Sequence, residues 1–375
     1  MGRRRPGQVR DAILEYLEQR RADASVAEIQ RGVAATLQAY VSPSSVRSYL
    51  SLNTPQCFER TASGRYRLRS LDGVLRLPKP NGKPARPAFT CGAATFYKDD
   101  CRSWLASREA CSIHGVVTDP PYGLVEYTPK EQVKLRNGRG GVWRIPPSFD
   151  GHQRSPVPRF TTLSHGDICN LVDFFYGWGK VLLPVLVPGA HVFIASNPLL
   201  SYIVAATLVD AGFERRGEIV RLVMTLRGGD RPKNAHDEFH DVTVMPRSMW
   251  EPWLLFRKPI EGRVQDNLRK WYTGGLRRPS ADRPFGDVIQ SHKAPNRERS
   301  VAPHPTLKPQ SFLRTLVYAV LPIGKGTILD PFAGSGSTLA AANALGSASI
   351  GIDSDQQYVR MARHAVPLLA QIRLK

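Results

Sequence analysis

Ile113-His114-Gly115-Val116-Val117-Thr118-Asp119-Pro120-Pro121-Tyr122 is an apolar run that stops on an acid, two prolines and a tyrosine. The run has the composition of a strand buried on both faces of a parallel sheet. The prolines cannot extend a ladder, because neither carries an N–H and each holds φ at about −65°. They can instead fix a carboxylate, an outward carbonyl and an aromatic ring in one rigid array, which suits chemistry on a flat exocyclic amine. A plain turn capped by Asp119 accounts for one proline and poorly for the tetrapeptide.

A similar junction returns far downstream as Asp330-Pro331-Phe332-Ala333-Gly334-Ser335-Gly336-Ser337-Thr338, again between a strand and a helix. Its glycines permit positive φ and close backbone approach, so a ligand can lie against main chain at the helix N-terminus. The dinucleotide fingerprint would need glycine at position 339, where Leu339 stands, and no G-K-[S/T] follows Gly334 at P-loop spacing. Alone, the glycine turn is a weak signal. Asp353 strengthens it by ending the next strand at a spacing suited to a ribose diol.

The chain has 375 residues, 42% of them hydrophobic, enough for a catalytic domain and a smaller module. Its formal net charge of +20 points to a polyanionic partner, since neutralising phosphates releases counterions. A merely basic, soluble surface is the plainer alternative. Cys57, Cys91, Cys101, Cys111 and Cys169 form no C-x-x-C pair, so neither a zinc site nor a disulfide framework is expected, and a reducing cytoplasm fits. Met1-Gly2-Arg3-Arg4-Arg5 is basic but precedes an amphipathic segment, which excludes a secretory leader. Val181 to Ala195 is interrupted by Pro184, Pro188 and Gly189 and is too short to span a bilayer. No membrane association is expected.

Residues 1–72 read as one unit. Val9, Ile13, Leu14 and Leu17 recur at helical spacing, and a second helix fits 25–37, where Ser25 and Glu28 have capping-box spacing. Ser42-Pro43 opens a third at 44–52, and a hairpin fits 58–68 around Ser63-Gly64. Residues 73–89 form a basic, Pro-rich linker. Residues 90–375 alternate strands and helices, which indicates an α/β fold. Expected helices are 167–186, 199–210, 310–320, 337–345 and 355–365; expected strands are 190–195, 218–226, 253–257, 326–329 and 349–352. Segments 123–165 and 227–302 read as irregular and rich in arginine. For the first, DNA contact and simple mobility fit the composition equally.

The two junctions together resemble the catalytic and S-adenosylmethionine-binding motifs of DNA amino-methyltransferases. His304-Pro305-Thr306-Leu307-Lys308-Pro309 resembles the H-P-T-x-K-P element of that family. Because the catalytic element comes first, the resemblance is to the circularly permuted beta class, over roughly residues 90–366. It implies a Rossmann-like methyltransferase fold with a mostly parallel, doubly wound sheet, S-adenosylmethionine as cofactor and double-stranded DNA as partner. By that resemblance Asp119, Pro120, Pro121 and Tyr122 are catalytic, with the first two accepting from the target amine and the tyrosine stacking on a base that has left the duplex. Asp330 would complement the cofactor's positive charge, with Pro331, Phe332, Gly334, Ser335, Gly336 and Thr338 alongside. Asp353 would bind the ribose, and Thr306 and Lys308 the methionine end. Asp100 would lie near the adenine, although Asp99 replaces the family's usual glycine before it. Aspartate at 119, where serine marks cytosine-N4 enzymes, favours adenine N6.

The first unit resembles a winged helix-turn-helix domain. Its third helix would present Ser44, Ser45, Arg47 and Ser48 to the major groove, and Arg60, Arg65 and Arg67 to phosphate. A helical dimerisation or packing module is the alternative. Residues 227–302 occupy the place of the target-recognition region, with Arg227, Arg231 and Lys233 as phosphate contacts; Arg139 in the earlier loop is another. A homodimer and a separate restriction endonuclease are compatible with this reading. His236-Asp237-Glu238-Phe239-His240-Asp241 lacks metal-ligand spacing and is assigned to the loop or to DNA contact. Trp250, Trp253, Trp271 and Tyr272 could stack on bases, but packing is favoured for Trp253. The rival readings are a cytosine-N4 enzyme, a DNA-binding regulator with an inactive methyltransferase domain, and an RNA methyltransferase.

Overall fold

Helix α1 (Gln8–Arg20) leads through strand β1 (Ala24–Ser25) into α2 (Val26–Thr36), α3 (Pro43–Leu52) and the hairpin β2 (Phe58–Ala62) and β3 (Arg65–Leu68). The structure, a computed structural model, describes residues 8–20, 22–52, 54, 58–68, 86–121, 165–223, 229, 231–232, 234–303 and 307–374. The chain divides into two units, 1–76 with 164–173 and 77–163 with 174–375, each described by itself.

In the first unit Ile13, Leu17, Ile29, Val33, Leu50 and Phe58 are fully or almost fully buried against one another. Helix α2 starts where its sequence says it should. The Ser25 hydroxyl accepts from Glu28 N at 3.2 Å, and the Glu28 carboxylate accepts from Ser25 N at 2.8 Å, which completes the capping box. The strands pair antiparallel in the order β1-β3-β2. Strand β1 was not expected, because two residues leave no periodicity to detect.

The second unit begins with β4 (Phe89–Cys91), β5 (Ala94–Lys98), α4 (Cys101–Ala106) and β6 (Ile113–Thr118). Helix α5 (His165–Val185), which straddles the division, leads to β7 (Leu186–Ala195), α6 (Ser201–Asp210), β8 (Glu214–Leu222) and β9 (Trp250–Arg257). Then come α7 (Val264–Trp271), β10 (Val288–Gln290), α8 (Asn296–Val301), α9 (Gln310–Val320), β11 (Thr327–Asp330), α10 (Ser337–Ala344), β12 (Ala348–Asp353) and α11 (Gln356–Ala370). Among the described residues one sheet has nine strands in the order β10-β8-β9-β7-β6-β11-β12-β5-β4. Only β9 and β4 run antiparallel to their neighbours. The expected doubly wound, mostly parallel sheet is therefore present.

Strand β11 lies between β12 and β6, with Ile328 opposite Gly115 and Leu329 opposite Val116. The chain leaves β11 toward β12 on one side and β6 toward β7 on the other. That divergence opens a crevice at the carboxyl ends of β11 and β6. Helix α9 covers one face of the sheet, where Val117, Phe193, Trp253, Phe312, Leu316 and Ile328 form a buried cluster. Ala340, Ala341 and Ala342 of α10 are fully buried, and their small side chains let that helix lie close to its neighbours.

Some expectations need correction. Residues 227–302 are less irregular than expected: the anticipated strand at 253–257 is β9, beside β7 with its last six residues buried, and further elements lie around it. Trp253 is 0% exposed and packs in the core, the reading favoured for it. Helices α7 and α8 and strand β10 were missed: α7 buries only Asn267, and the other two are short. Strand β8 starts at Glu214 and ends at Leu222, where the sequence suggested 218–226. Its alternating charges obscured an edge region that pairs along its length with β9. Among the described residues no helix is long and apolar enough to cross a membrane.

Candidate active site at the strand ends

Asp330 ends β11 and Thr118 ends β6, and their side chains meet: Thr118 Oγ1 donates to Asp330 Oδ1 at 2.7 Å. Phe332 N donates to the same oxygen at 3.2 Å. Burial pushes the Asp330 carboxyl up to about 6, against hydrogen bonds from Thr118, Thr338 and Phe332 that lower it. The acid is thus buried, oriented and near the edge of ionisation.

The glycine turn follows directly. Gly334 has φ 47° and Gly336 φ 77°, both in the left-handed region. Gly334 N donates to Asp353 Oδ2 at 2.9 Å, which ties the turn to the end of β12. Asp355 N donates to Asp353 Oδ1 at 2.8 Å. Burial raises the pKa of Asp353, and these two amide bonds oppose the rise. A β-carbon on Gly336 would stand 2.5 Å from Val366 Cγ2, so the turn is closed to any larger residue.

Asp99 N donates to the Asp353 carbonyl at 3.1 Å, which brings the end of β5 alongside. Asp100 then caps α4, its Oδ1 accepting from Arg102 N at 3.1 Å and Ser103 N at 3.0 Å. Asp100 and Asp353 therefore lie on adjacent strand ends, as the sequence reading requires. Each already takes two backbone amides, and carboxylate oxygens have lone pairs to spare for further donors.

Asp119 lies one residue beyond Thr118. With Lys308, Asp330, Phe332, Gly334 and Thr338 it lines an open cleft. The two junctions, distant in sequence, are walls of one cleft. Lys308 makes contacts that the sequence reading did not include. Its Nζ is 2.5 Å from Asp119 Oδ2 and 3.2 Å from Glu251 Oε1, a bridge between two acids. Burial opposes charge on Lys308, but the Asp119 and Glu251 carboxylates outweigh it and hold the ammonium above the ordinary lysine range. Glu251 was missed. Its signal was there: it is the lone acid in the apolar strand Trp250–Arg257.

Tyr122, Thr306, Arg139, Arg227 and Lys233 lie outside the described residues. Arg231 is exposed. In the first unit Ser44, Arg47 and Ser48 are exposed on α3, whereas Ser45 is half-buried with its hydroxyl 2.8 Å from that of Ser42. Arg65 pairs with Asp23 at 2.9 Å and Arg67 with Glu59 at 2.7 Å. The Arg65 hydrogen bond, with a smaller one from Thr61, lowers the Asp23 carboxyl to about 2. These pairs leave Arg65 and Arg67 less charge for phosphate than the sequence reading assumes.

Residues 113–364 match the family model described as DNA methylase, of the N6/N4 methyltransferase type. The type II methyltransferase M2.DpnII of Streptococcus pneumoniae is 35% identical over 279 residues, 74% of this chain and 91% of that protein. The type II methyltransferase M.HindIII of Haemophilus influenzae is 22% identical over 291 residues, 71% of this chain and 93% of that one. Among solved structures, the PvuII DNA methyltransferase (cytosine-N4-specific) matches with a TM-score of 0.50 at 14% identity. That match covers 75% of this chain and 89% of the other, a likeness of fold.

Proposed function

The chain belongs to the N6/N4 DNA methylase family, methyltransferases that use S-adenosylmethionine, and we propose that it methylates the N6 amine of adenine at a specific site in duplex DNA. The observation that carries the adenine reading is Asp119, a carboxylate rather than a hydroxyl, in the same cleft as Asp330 and Gly334. The test is methylation of defined duplexes followed by nucleoside mass spectrometry. N6-methyladenine is expected, and N4-methylcytosine alone would overturn the assignment.

The residues fit the cofactor. A backbone turn with two positive-φ glycines leaves main chain open to a ligand, and a buried acid stands beside it. Asp330, Gly334, Ser335, Gly336 and Thr338 would hold the amino-acid end, with Pro331 and Phe332 beside them, Asp353 the ribose and Asp100 the adenine. When bound, S-adenosylmethionine supplies an electrophilic methyl group on a positively charged sulfur.

The chain's own residues do the rest. The lone pair of an exocyclic amine is delocalised into its ring, so the nitrogen is a poor nucleophile. Hydrogen bonds from the amine to the Asp119 carboxylate and the Pro120 carbonyl favour a tetrahedral nitrogen with a localised lone pair. Holding that nitrogen in line is chiefly a matter of positioning. Tyr122 stacks on the base once it has been turned out of the duplex.

Asp330 gives this reading a pH signature. A carboxyl raised to about 6 is neutral below that pH and cannot complement a cationic ligand, while above it the charge is present. Cofactor affinity should therefore fall as pH drops through about 6 and level off above it. In Asp330→Asn, affinity is weaker and this dependence is flattened; calorimetric titration across pH checks both.

The first unit is read as a winged helix-turn-helix that adds DNA affinity, with Ser44, Arg47 and Ser48 of α3 facing the groove. Deleting residues 1–72 should raise KM for DNA on the order of 10-fold and reduce the salt slope of binding, with kcat little changed. Steady-state kinetics over a salt series measure this. The type II designation of the relatives fits a separate restriction endonuclease for the same site.

A further inference from the structure

Arg221 on β8 and Glu251 on β9 lie in the buried layer behind the cleft. Arg221 Nη1 donates to Glu251 Oε2 at 2.8 Å, and Trp253 Nε1 donates to the same oxygen at 3.0 Å. On its other side Arg221 is anchored by Nε to Ser291 Oγ at 3.0 Å and Nη2 to the His292 carbonyl at 2.9 Å. Its guanidinium carbon sits 4.9 Å from the centroid of the Phe312 ring. The remaining Glu251 oxygen faces Lys308 Nζ at 3.2 Å, and Lys308 in turn reaches Asp119 Oδ2 at 2.5 Å. The order of charges is plus, minus, plus, minus, from the sheet to the cleft wall.

We propose that Glu251 and Arg221 are positioning residues for the amine-accepting Asp119, acting through Lys308. The inference rests on the proposed methyltransferase role of Asp119. Two buried cations, Arg221 and Lys308, and two largely buried acids cost desolvation, and apolar side chains of similar volume would join these strands at least as well. A chain of them ending on a cleft carboxylate needs another reason. Lys308 lies closer to Asp119 than to Glu251, and the second acid fixes the direction from which its ammonium meets the first. The carboxylate is thereby held in one rotation by an ammonium that is itself held in place. Without the Glu251 charge, Lys308 keeps Asp119 but loses its second anchor, so the carboxylate it holds is no longer fixed toward the substrate amine.

Lys308 also loses one of the two acids that sustain its own charge. Among the described residues the charged groups facing it include Asp119, Glu251 and Arg221, with Asp330 also on the cleft. Of these, Glu251 and Asp119 favour the ammonium and Arg221 opposes it. Removing Glu251 therefore lowers the pH at which Lys308 gives up its proton.

The experiment compares single-turnover methyl transfer by wild type, Glu251→Gln, Glu251→Asp and Trp253→Phe, with KM for DNA, cofactor affinity by calorimetry and thermal melting. Glu251→Gln should lose about 10- to 100-fold in rate, with KM for DNA and cofactor affinity within about threefold of wild type. The ratio of its rates at about pH 9.5 and about pH 7.5 should fall several-fold below that of wild type. Glu251→Asp and Trp253→Phe, which keep the charge, should retain the wild-type ratio. A wild-type rate and ratio in Glu251→Gln overturns the inference and leaves the proposed function standing. Equal loss in all three variants with an unchanged ratio marks a structural role only and also overturns it. A wild type that methylates no DNA overturns the functional reading and this inference with it. Should Glu251→Gln fail to fold, Arg221→Lys, which keeps the charge but loses the Ser291 and His292 anchors, should lower kcat several-fold at unchanged KM for DNA. An unchanged kcat in that variant overturns the inference.

Discussion

Asp119→Ala is expected to reduce methyl transfer on the order of 10³-fold while cofactor affinity stays within about threefold. The side chain stands at a strand end and is 21% exposed, so its loss opens no hole in the core. What disappears is the acceptor that localises the amine lone pair, an interaction worth most at the moment of transfer. Lys308 keeps Glu251 as a partner at 3.2 Å, so the buried ammonium is not stranded. Single-turnover transfer of a radiolabelled methyl group, set beside calorimetric cofactor binding, separates the two effects. Near-normal transfer by this variant would remove the acceptor role from Asp119.

Gly336→Val should remove cofactor binding and cost about 3 kcal/mol of stability in the second unit. Two independent strains act at this position. A φ of 77° is uphill for any L side chain and worst for a β-branched one. The added β-carbon would also lie 2.5 Å from Val366 Cγ2 and 3.2 Å from Ala362 Cβ, both on the fully buried face of α11. Relief requires α10 and α11 to part, which pulls the Gly334 amide from Asp353. Urea unfolding and cofactor titration report the two losses. A variant that binds cofactor normally would show that the turn tolerates a Cβ, contrary to its geometry.

The strand ends were legible because their local chemistry is so constrained. Two prolines after an apolar run can only stop a strand, and glycines between a strand and a helix mark a tight turn. The resemblance carried by those junctions implied a shared site, and Asp119, Asp330 and Gly334 line one cleft. Elsewhere the signal lay in pairing rather than in pattern. Strand β8 opens with Glu214, Arg215, Arg216 and Glu218, so nothing local announces its first half; antiparallel register with β9 makes that half a strand. Glu251 escaped notice for the converse reason. A single acid inside an apolar strand looks like an exposed edge residue until Arg221, Trp253 and Lys308 are seen around it. Lys308 was tied to the cofactor by resemblance, whereas its nearest acid in space is Asp119.

The pairing of β6 with β11 has a bearing on synthesis. Gly115 and Val116 emerge from the ribosome long before Ile328 and Leu329, the partners that flank them in the sheet. Until β11 slots between β6 and β12, the proline-bearing wall exists without the glycine wall it faces. A chain that stops before β11 thus lacks half of the cleft, and the last-made strands complete it when they take the middle of the sheet.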